Sequence, residues 1–221
     1  LPEPSSQRWR PLRGGLLNLY RYDEQEFHYT NGRLLLRGNN GTGKSRVLAL
    51  QLPFLLDGDI SSRRVEPDAD PAKRMIWNVI TDDHDNRTGY TWLEFGRQNE
   101  QGETEFLTLG CGLHGVRGRD LKRWYFITTR RVGEDLFLRS EERVPISRER
   151  LREALENQGT LYDGVREYRQ AVNDHLFQLE PERYEALLAL LIQLRQPQLS
   201  RQLDERRLSE ALGNALPPLD P

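Results

Sequence analysis

The order of apolar and polar residues in the first part of the chain predicts short strands. Residues 16–22 and 24–29 each carry apolar positions at the spacing of a half-buried strand. Asn31-Gly32 is a strong signal for a tight turn between strands. Residues 33–37 then form a short apolar run, and we expect a buried strand there.

A helix and a series of antiparallel strands are predicted next. Residues 45–56 are mostly apolar, as in a helix that is buried on most sides. Pro53 should bend this helix or end it early, because proline lacks a backbone N–H. Residues 57–71 are polar and should form a loop. After the loop we expect an antiparallel meander with strands at residues 88–96, 103–109, 123–130 and 135–139.

The hydrophobic period changes to that of a helix near residue 147. Ser147 is placed as an N-cap, and Leu151 and Leu155 follow at helical spacing. Pro181 suits the first turn of a later helix. The predicted helices after the first one lie at residues 162–177, 181–194 and 204–216.

Composition places the chain among globular proteins without making it a polycation. Of its 221 residues, 36% are hydrophobic and 30% are charged, with a formal net charge of -2. No apolar run approaches the roughly 20 residues that a membrane-spanning helix needs, so we expect no membrane partner. Cys111 is the single cysteine, which excludes an intrachain disulfide and fits a cytoplasmic location.

The residue types and spacing of one segment indicate a specific binding chemistry. It has the pattern G-x-x-x-x-G-K-[ST] and lies between a predicted strand and a predicted helix. Glycines let backbone N–H groups surround phosphate, lysine adds a positive charge, and the serine hydroxyl is a ligand for Mg²⁺. The pattern predicts a site for ATP and Mg²⁺ formed by Gly38, Asn39, Asn40, Gly41, Thr42, Gly43, Lys44 and Ser45.

The groups that would cleave the nucleotide are not found in the sequence. Hydrolysis by P-loop proteins needs a carboxylate at the end of a second apolar strand. No run of four apolar residues followed by Asp-Glu occurs, and Leu55-Leu56-Asp57 lies on the predicted helix after the loop. An L-S-G-G stretch of the kind that ABC-type ATPases use is also absent. The sequence therefore predicts half of an ATPase site, with little hydrolysis by these residues alone.

The β-hairpin, the subtype G-x-N-G-x-G-K-S and the meander together resemble the N-terminal lobe of ABC-type heads in the SMC, SbcC and RecF group. The resemblance implies an α/β fold, a P-loop NTPase of the ABC/SMC-head type. Its parts would be a lead-in at residues 1–15, a nucleotide-binding α/β lobe at 16–145 and a helical part at 146–221. In that group a long coiled coil and a C-terminal lobe with the remaining motifs follow, so the resemblance implies a truncated head.

A closer resemblance is to the MukB-like SMC ATPases of Wadjet plasmid-defence systems. It rests on residues 32–45, on LPFLLDGD at 52–59, on TWLEF at 91–95 and on LRQPQLS at 194–200. The resemblance implies a head that dimerises with a second copy around two ATP molecules, and a kleisin and accessory subunits as partners. It also implies that ATP hydrolysis in the full-length protein acts on DNA, by loop extrusion in defence against plasmids.

The same resemblance implies two further sets of site residues. In these heads a glutamine between the meander and the helical part reaches Mg²⁺, and both Gln193 and Gln196 are candidates. Neither is followed by the glycine of the common SMC form. An arginine after the first helix often contacts phosphate or DNA in such heads, and Arg63 and Arg64 have that position.

Two charged segments support other interpretations. Residues 117–131 contain six basic side chains against Asp120 alone, which suits phosphate contacts or, more simply, a charged strand edge. The cluster at residues 82–85, Asp-Asp-His-Asp, has oxygen ligands for a divalent cation, although a solvated turn is the simpler hypothesis.

Tyr20 and Arg21 end the first predicted strand and are placed to approach a base or an α-phosphate.

Three functions stay open on the sequence alone. The first is the ATP-binding lobe of an SMC-like motor head. The second is a self-sufficient P-loop NTPase or kinase of another class, whose carboxylate would have to come from residues 82–85. The third is a DNA-binding module that uses the basic residues at 117–131, with affinity that falls steeply with salt.

Overall fold

A computed structural model describes residues 1–65, 74–81 and 84–195, which are built on one antiparallel sheet of six strands. The strands are β1 (Arg10–Leu19), β2 (Tyr22–His28), β3 (Asn86–Gln98), β4 (Thr104–Val116), β5 (Lys122–Thr128) and β6 (Gly159–Tyr162). Their order across the sheet is β2-β1-β3-β4-β5-β6, so β3, β4 and β5 form the meander that the sequence predicts.

Helices connect and cover these strands, which gives the fold its α/β character. They are α1 (Lys44–Leu50), α2 (Phe54–Asp57), α3 (Ser62–Val65), α4 (Arg148–Leu155), α5 (Val165–Leu176) and α6 (Pro181–Leu194), with a 3-10 helix at Met75–Asn78. Within the described ranges, none of them is long and apolar enough to cross a bilayer.

The central strands β3, β4 and β5 are buried on both faces of the sheet. Successive side chains of a strand point to opposite faces, so Leu93 and Tyr125 enter a core that α1, α2, α5 and α6 cover. Trp92 and Trp124 enter a second core on the other face, covered by the segment after β5 and by α4. Burial on both sides explains why the strands are apolar along much of their length.

The first strand begins earlier than the sequence predicts. Residues 10–15 were expected to belong to a loose lead-in, but they form the first half of β1. They are held by long-range pairing with β3, from Arg10 opposite Gly96 to Leu17 opposite Tyr90. Local composition does not reveal such pairing, because the partner strand is about 80 residues away in sequence.

The predicted strand at residues 33–37 is wrong. The Asn31-Gly32 turn is confirmed, with φ of 51° and 74° and a bridge between Thr30 and Arg33. After that bridge the chain is extended but pairs with none of the six strands, and Leu35 is 72% exposed. An apolar run becomes a strand only when another strand satisfies its backbone, and the described residues provide none here.

Later elements follow the sequence with several corrections. The helix predicted at 45–56 is divided at Pro53 as expected, and residues 62–65 of the predicted loop form α3. The strand predicted at 135–139 is wrong, because only isolated bridges occur around it.

The sequence also missed β6, which pairs with β5 from Tyr125 opposite Tyr162 to Thr128 opposite Gly159. The sheet therefore extends across the predicted boundary at residue 146, and the helix predicted from residue 162 begins at Val165. The N-cap at Ser147 is confirmed by a hydrogen bond from the Arg150 N–H at 3.3 Å, and Pro181 opens α6. The helix predicted at 204–216 lies outside the described residues.

Candidate phosphate-binding site

The loop at residues 38–43 leads directly into α1, and the far end of α1 is fixed to the sheet. The side-chain amide of Gln51 donates to the carbonyl oxygens of Gly15 and Trp92, both at 3.1 Å. The hydroxyl of Thr91 donates to the carbonyl oxygen of Leu50 at 2.7 Å. These bonds join α1 to β1 and β3, so the helix that follows the loop has a set position on the sheet.

The lysine of the motif closes the loop on itself. The Lys44 ammonium donates to the carbonyl oxygens of Gly38 and Asn39, each at 2.7 Å. The Thr42 hydroxyl donates to the same Asn39 oxygen at 2.9 Å. The ammonium therefore lies against the start of the loop, while Ser45 is exposed at the start of α1.

Two glycines of the loop adopt a backbone conformation that other residues avoid. Gly41 and Gly43 have φ of 84° and 90°. A Cβ on Gly41 would meet no atom within 4 Å, whereas a Cβ on Gly43 would lie 2.5 Å from the Tyr22 hydroxyl oxygen. That hydroxyl donates to the carbonyl oxygen of Thr42 at 3.1 Å. The β1–β2 hairpin thus packs closely against the end of the loop.

Tyr20 forms the turn of this hairpin in a strained conformation. Its φ is 54°, which is rare for a bulky side chain. Its N–H donates to the Asn78 carbonyl, and its own carbonyl accepts from Arg87 at 2.9 Å. Its ring lies beside Gly43, while the guanidinium of Arg46 is 5.6 Å from the ring centre. An approach of Tyr20 or Arg21 to a base or an α-phosphate stays a prediction. Strained residues held by several contacts are frequent at functional sites.

The contact between α1 and the 3-10 helix has no signal in the sequence. Arg46 of α1 donates to the Asn78 side-chain oxygen at 3.1 Å, and the Asn78 amide donates to the Met75 sulfur at 3.4 Å. Asn78 is only 3% exposed. Arg46 and Asn78 both follow polar segments, so no hydrophobic pattern indicates that they meet. Only the folded structure shows that this contact supports the loop.

The carboxylate nearest to the loop in sequence, Asp57, serves a different purpose. It is buried at the end of α2 in ion pairs with Arg169 at 2.5 Å and Arg64 at 3.3 Å. Burial raises the pKa of Asp57 to about 6, although both arginines act to lower it. As expected from the sequence, this carboxylate belongs to the end of the helix and not to the phosphate loop.

Four successive carbonyl oxygens next to Asp57 accept hydrogen bonds from side chains of other elements. Tyr168 donates to Leu55 at 2.6 Å, and Tyr184 donates to Leu56 at 2.9 Å. The carbonyl of Asp57 accepts from Arg169 at 3.0 Å, and that of Gly58 accepts from the Tyr125 hydroxyl. These bonds join α2 to β5, α5 and α6.

Among the described residues, the side chains implied by the family resemblance make no hydrogen bond or ion pair with the loop at 38–45. Arg63 is exposed, and Arg64 is engaged with Asp57 and with Glu185 at 2.6 Å. Gln193 is exposed near the end of α6, and no hydrogen bond joins it to a loop residue within the described chain. Gln196 lies outside the described residues. Phosphate, DNA or Mg²⁺ contacts by these side chains stay predictions.

In the basic stretch at residues 117–131, β6 pairs with β5 from Tyr125 to Thr128, so this half of β5 is not a sheet edge. Lys122 and Arg123 pair with β4 alone among the described strands, so the charged edge expected from the sequence is confirmed there only. Arg131 is buried against Glu94, and Arg130 pairs with Glu156 at 3.0 Å. The six cations therefore do not form one exposed surface.

The acidic cluster is only partly described. Asp82 and Asp83 lie outside the described residues, and Asp85 pairs with Arg117. Among the residues that the structure describes, no group of three or more His, Cys, Asp or Glu side chains is placed to hold a metal ion. Cys111 is fully buried in β4, as expected for a core residue, and burial raises the pKa of its thiol.

Comparison with known proteins does not assign the chain to a family. No family model matches it, and no curated protein matches it.

Proposed function

We propose that this chain binds the phosphates of ATP with Mg²⁺ through residues 38–45, as the N-terminal part of an SMC-like motor head. The observation that carries the proposal is the geometry of Lys44 within its motif. Its ammonium lies against the Gly38 and Asn39 carbonyls, in a loop whose glycines have left-handed φ. A cation enclosed by backbone in this way suits a polyphosphate, which accepts hydrogen bonds from N–H groups and from lysine.

Ser45 is the residue that we assign to Mg²⁺. It is exposed directly after Lys44, and its hydroxyl makes no hydrogen bond to another described residue. A free hydroxyl beside bound phosphates has the oxygen chemistry that Mg²⁺ prefers, together with phosphate oxygens and water. Phosphate oxygens and water would supply further ligands, and Gln193 or Gln196 stays a candidate ligand implied by the resemblance.

The wider role rests on the resemblance of the sequence to SMC-like heads. In that role a second copy of the head, a kleisin and accessory subunits complete the machine, and ATP turnover acts on DNA. The groups that activate water would come from outside residues 1–221, and we infer that these residues bind ATP but hydrolyse it negligibly.

The test measures ATP binding and hydrolysis by the 221-residue chain. We expect binding that needs Lys44 and a turnover rate close to that of buffer. Robust hydrolysis by this chain alone would contradict the SMC-like role and favour a self-sufficient NTPase. In that case Asp82→Asn or Asp83→Asn should abolish turnover, since those residues are the remaining carboxylates of the predicted cluster.

The DNA-binding module is the weaker alternative. It requires residues 117–131 to present their charge together, whereas Arg130 and Arg131 are held in ion pairs with Glu156 and Glu94. DNA binding that falls steeply with salt and is insensitive to ATP would support it nevertheless.

A further inference from the structure

A second site is suggested by a cleft beside the β1–β2 turn. The cleft has a volume of about 930 Å³ and lies where the β1–β2 turn, the 3-10 helix and the ends of β3 and β4 meet. Arg21, Trp77, Arg87 and Arg117 line it, but no residue of the loop at 38–45 does. Tyr20 lines the cleft and also lies beside Gly43, so the cleft adjoins the loop, and the Lys44 variant below tests whether a ligand there is separate from a nucleotide held by the loop.

Arg87 is a buried cation with little to balance its charge. It is 8% exposed, it donates to the Tyr20 carbonyl, and its one ion pair within the described residues is with Asp23 at 3.8 Å. The Asp23 side chain is 99% exposed, so water screens that pair strongly. Burial lowers the pKa of Arg87, as expected of a cation that loses water without gaining a close carboxylate.

Two other buried arginines of the same fold are neutralised much more completely. Arg13 and Arg131 share the buried carboxylate of Glu94 through four hydrogen bonds of 2.8 to 3.2 Å. The fold thus supplies a carboxylate where an arginine is only structural. In the part of the chain that the structure describes, no buried carboxylate pairs with Arg87, which lines an open cleft instead. An anionic ligand would therefore offset the cost of burying it.

An aromatic ring lies at the same cleft. Trp77 is 53% exposed, which is unusual for so large an apolar side chain. Arg21 adds a second cation to the lining, and Arg117 adds a third that is partly balanced by Asp85. An exposed indole beside guanidinium groups is the combination that binds a base by stacking and its phosphate by charge-assisted hydrogen bonds.

We propose that this cleft binds a nucleotide unit, with the phosphate at Arg87 and the base stacked on Trp77. The unit would be presented by a single-stranded nucleic acid or as a free nucleotide, because both offer an uncovered base beside a phosphate. A duplex covers its base faces and does not fit this arrangement.

The experiment measures binding of fluorescent oligo(dT) to the 221-residue chain by anisotropy at low salt, with AMP, inorganic phosphate and a hairpin duplex as competitors. Trp77→Ala should weaken oligo(dT) binding at least about fivefold, since the exposed ring supplies the stacking surface. Arg87→Lys should weaken it too, because lysine keeps the charge but loses the planar guanidinium.

Matched controls separate this site from the rest of the molecule. Phe137→Ala removes an equally exposed ring that does not line the cleft, and Arg97→Ala removes an arginine near the other end of β3. Neither should change binding. Lys44→Ala should not change it either, so failure of this proposal and failure of the phosphate loop can be told apart.

Competition shows whether the ligand is a free nucleotide or part of a nucleic-acid strand. If AMP competes and oligo(dT) binds no more tightly than AMP, the site takes free nucleotides. Tighter binding of the oligonucleotide than of AMP indicates a nucleic-acid strand. The proposal is overturned if inorganic phosphate or the duplex competes as well as AMP. It is also overturned if Trp77→Ala and Phe137→Ala behave alike, or if Lys44→Ala abolishes oligo(dT) binding.

Discussion

Arg169 of α5 contacts Asp57 of α2 twice, through an ion pair with the carboxylate at 2.5 Å and a hydrogen bond to the backbone carbonyl at 3.0 Å. The contact lies at the far end of the helical segment that follows the phosphate loop. It connects that segment to α5, which packs on the same face of the sheet. The ion pair requires a charged Asp57 carboxylate, and burial disfavours that charged form. The contact between α2 and α5 is therefore sensitive to pH.

We expect acidification to stabilise the fold through Asp57. Its pKa is raised from 3.8 to about 6, so between these values the folded chain holds a proton that the unfolded chain has lost. The contribution of this group therefore falls as the pH rises from about 4 to 6, by up to about 3 kcal/mol, and is constant above about pH 7.

Urea unfolding at several pH values checks this, with Asp57→Asn as the variant that cannot titrate. The free energy of unfolding of the natural chain should fall relative to that of the variant as the pH is raised. The opposite slope would mean that the two arginines outweigh desolvation.

Removing the hydroxyl of Tyr184 should destabilise the fold. Tyr184→Phe leaves the buried carbonyl of Leu56 without its hydrogen bond, at a cost of about 1–3 kcal/mol. Tyr162→Phe is the matched control, because the Tyr162 hydroxyl has no hydrogen-bond partner among the described residues. The free energy of unfolding of this control, measured with denaturant, should stay within about 0.5 kcal/mol of that of the natural chain. Equal values for the two variants would contradict the role of the Leu56 bond.

The two left-handed glycines of the loop should respond differently to alanine. Gly41→Ala meets only backbone strain, about 1–2 kcal/mol. Gly43→Ala introduces the same backbone strain and also forces Tyr22 to move. It should therefore unfold at a lower urea concentration than Gly41→Ala and bind ATP less well.

Adding Tyr22→Phe to Gly43→Ala removes the atom nearest to the new Cβ and should recover part of the lost stability. No recovery would show that the Tyr22 contact is not what limits Gly43.

Lys44→Ala should weaken binding of a fluorescent ATP analogue at least about tenfold, since charge-assisted bonds to phosphate contribute about 1.5–3 kcal/mol each. Lys122→Ala, at an exposed position away from the loop, is the charge-matched control and should bind normally.

Ser45→Ala should reduce the dependence of ATP binding on Mg²⁺, whereas Ser45→Thr keeps a hydroxyl and should preserve it. Titration calorimetry with and without Mg²⁺ separates these variants. Identical Mg²⁺ dependence in Ser45→Ala would exclude a role for this hydroxyl.

Several features could be predicted because neighbouring residues determine them. The turn at Asn31-Gly32 needs two residues that tolerate positive φ, and the break at Pro53 follows from the missing N–H. Ser147 caps its helix with its own side chain, and Pro181 opens α6. The meander from β3 to β5 was also predictable, because consecutive antiparallel strands need only short turns.

Features that depend on distant partners were missed. The residues at 33–37 are as apolar as a buried strand, yet no described strand pairs with them. β6 has little apolar character of its own and is a strand because β5 offers it an edge. The hydrogen bond from Tyr20 to Asn78, beside the loop, has no local signature either, since it joins residues more than 50 positions apart.

The sequence by itself determined the glycine-rich character of the loop at residues 38–45, because Gly38, Gly41, Gly43 and Lys44 set its backbone freedom and its charge. Only the tertiary structure decided what the other charges do. It buried Arg13 and Arg131 against one carboxylate, committed Arg64 to Asp57 and left Arg87 facing a cleft without a close anion among the described residues. Pairing of charges depends on which distant positions the fold brings within a few ångströms, and one-dimensional spacing does not contain that information.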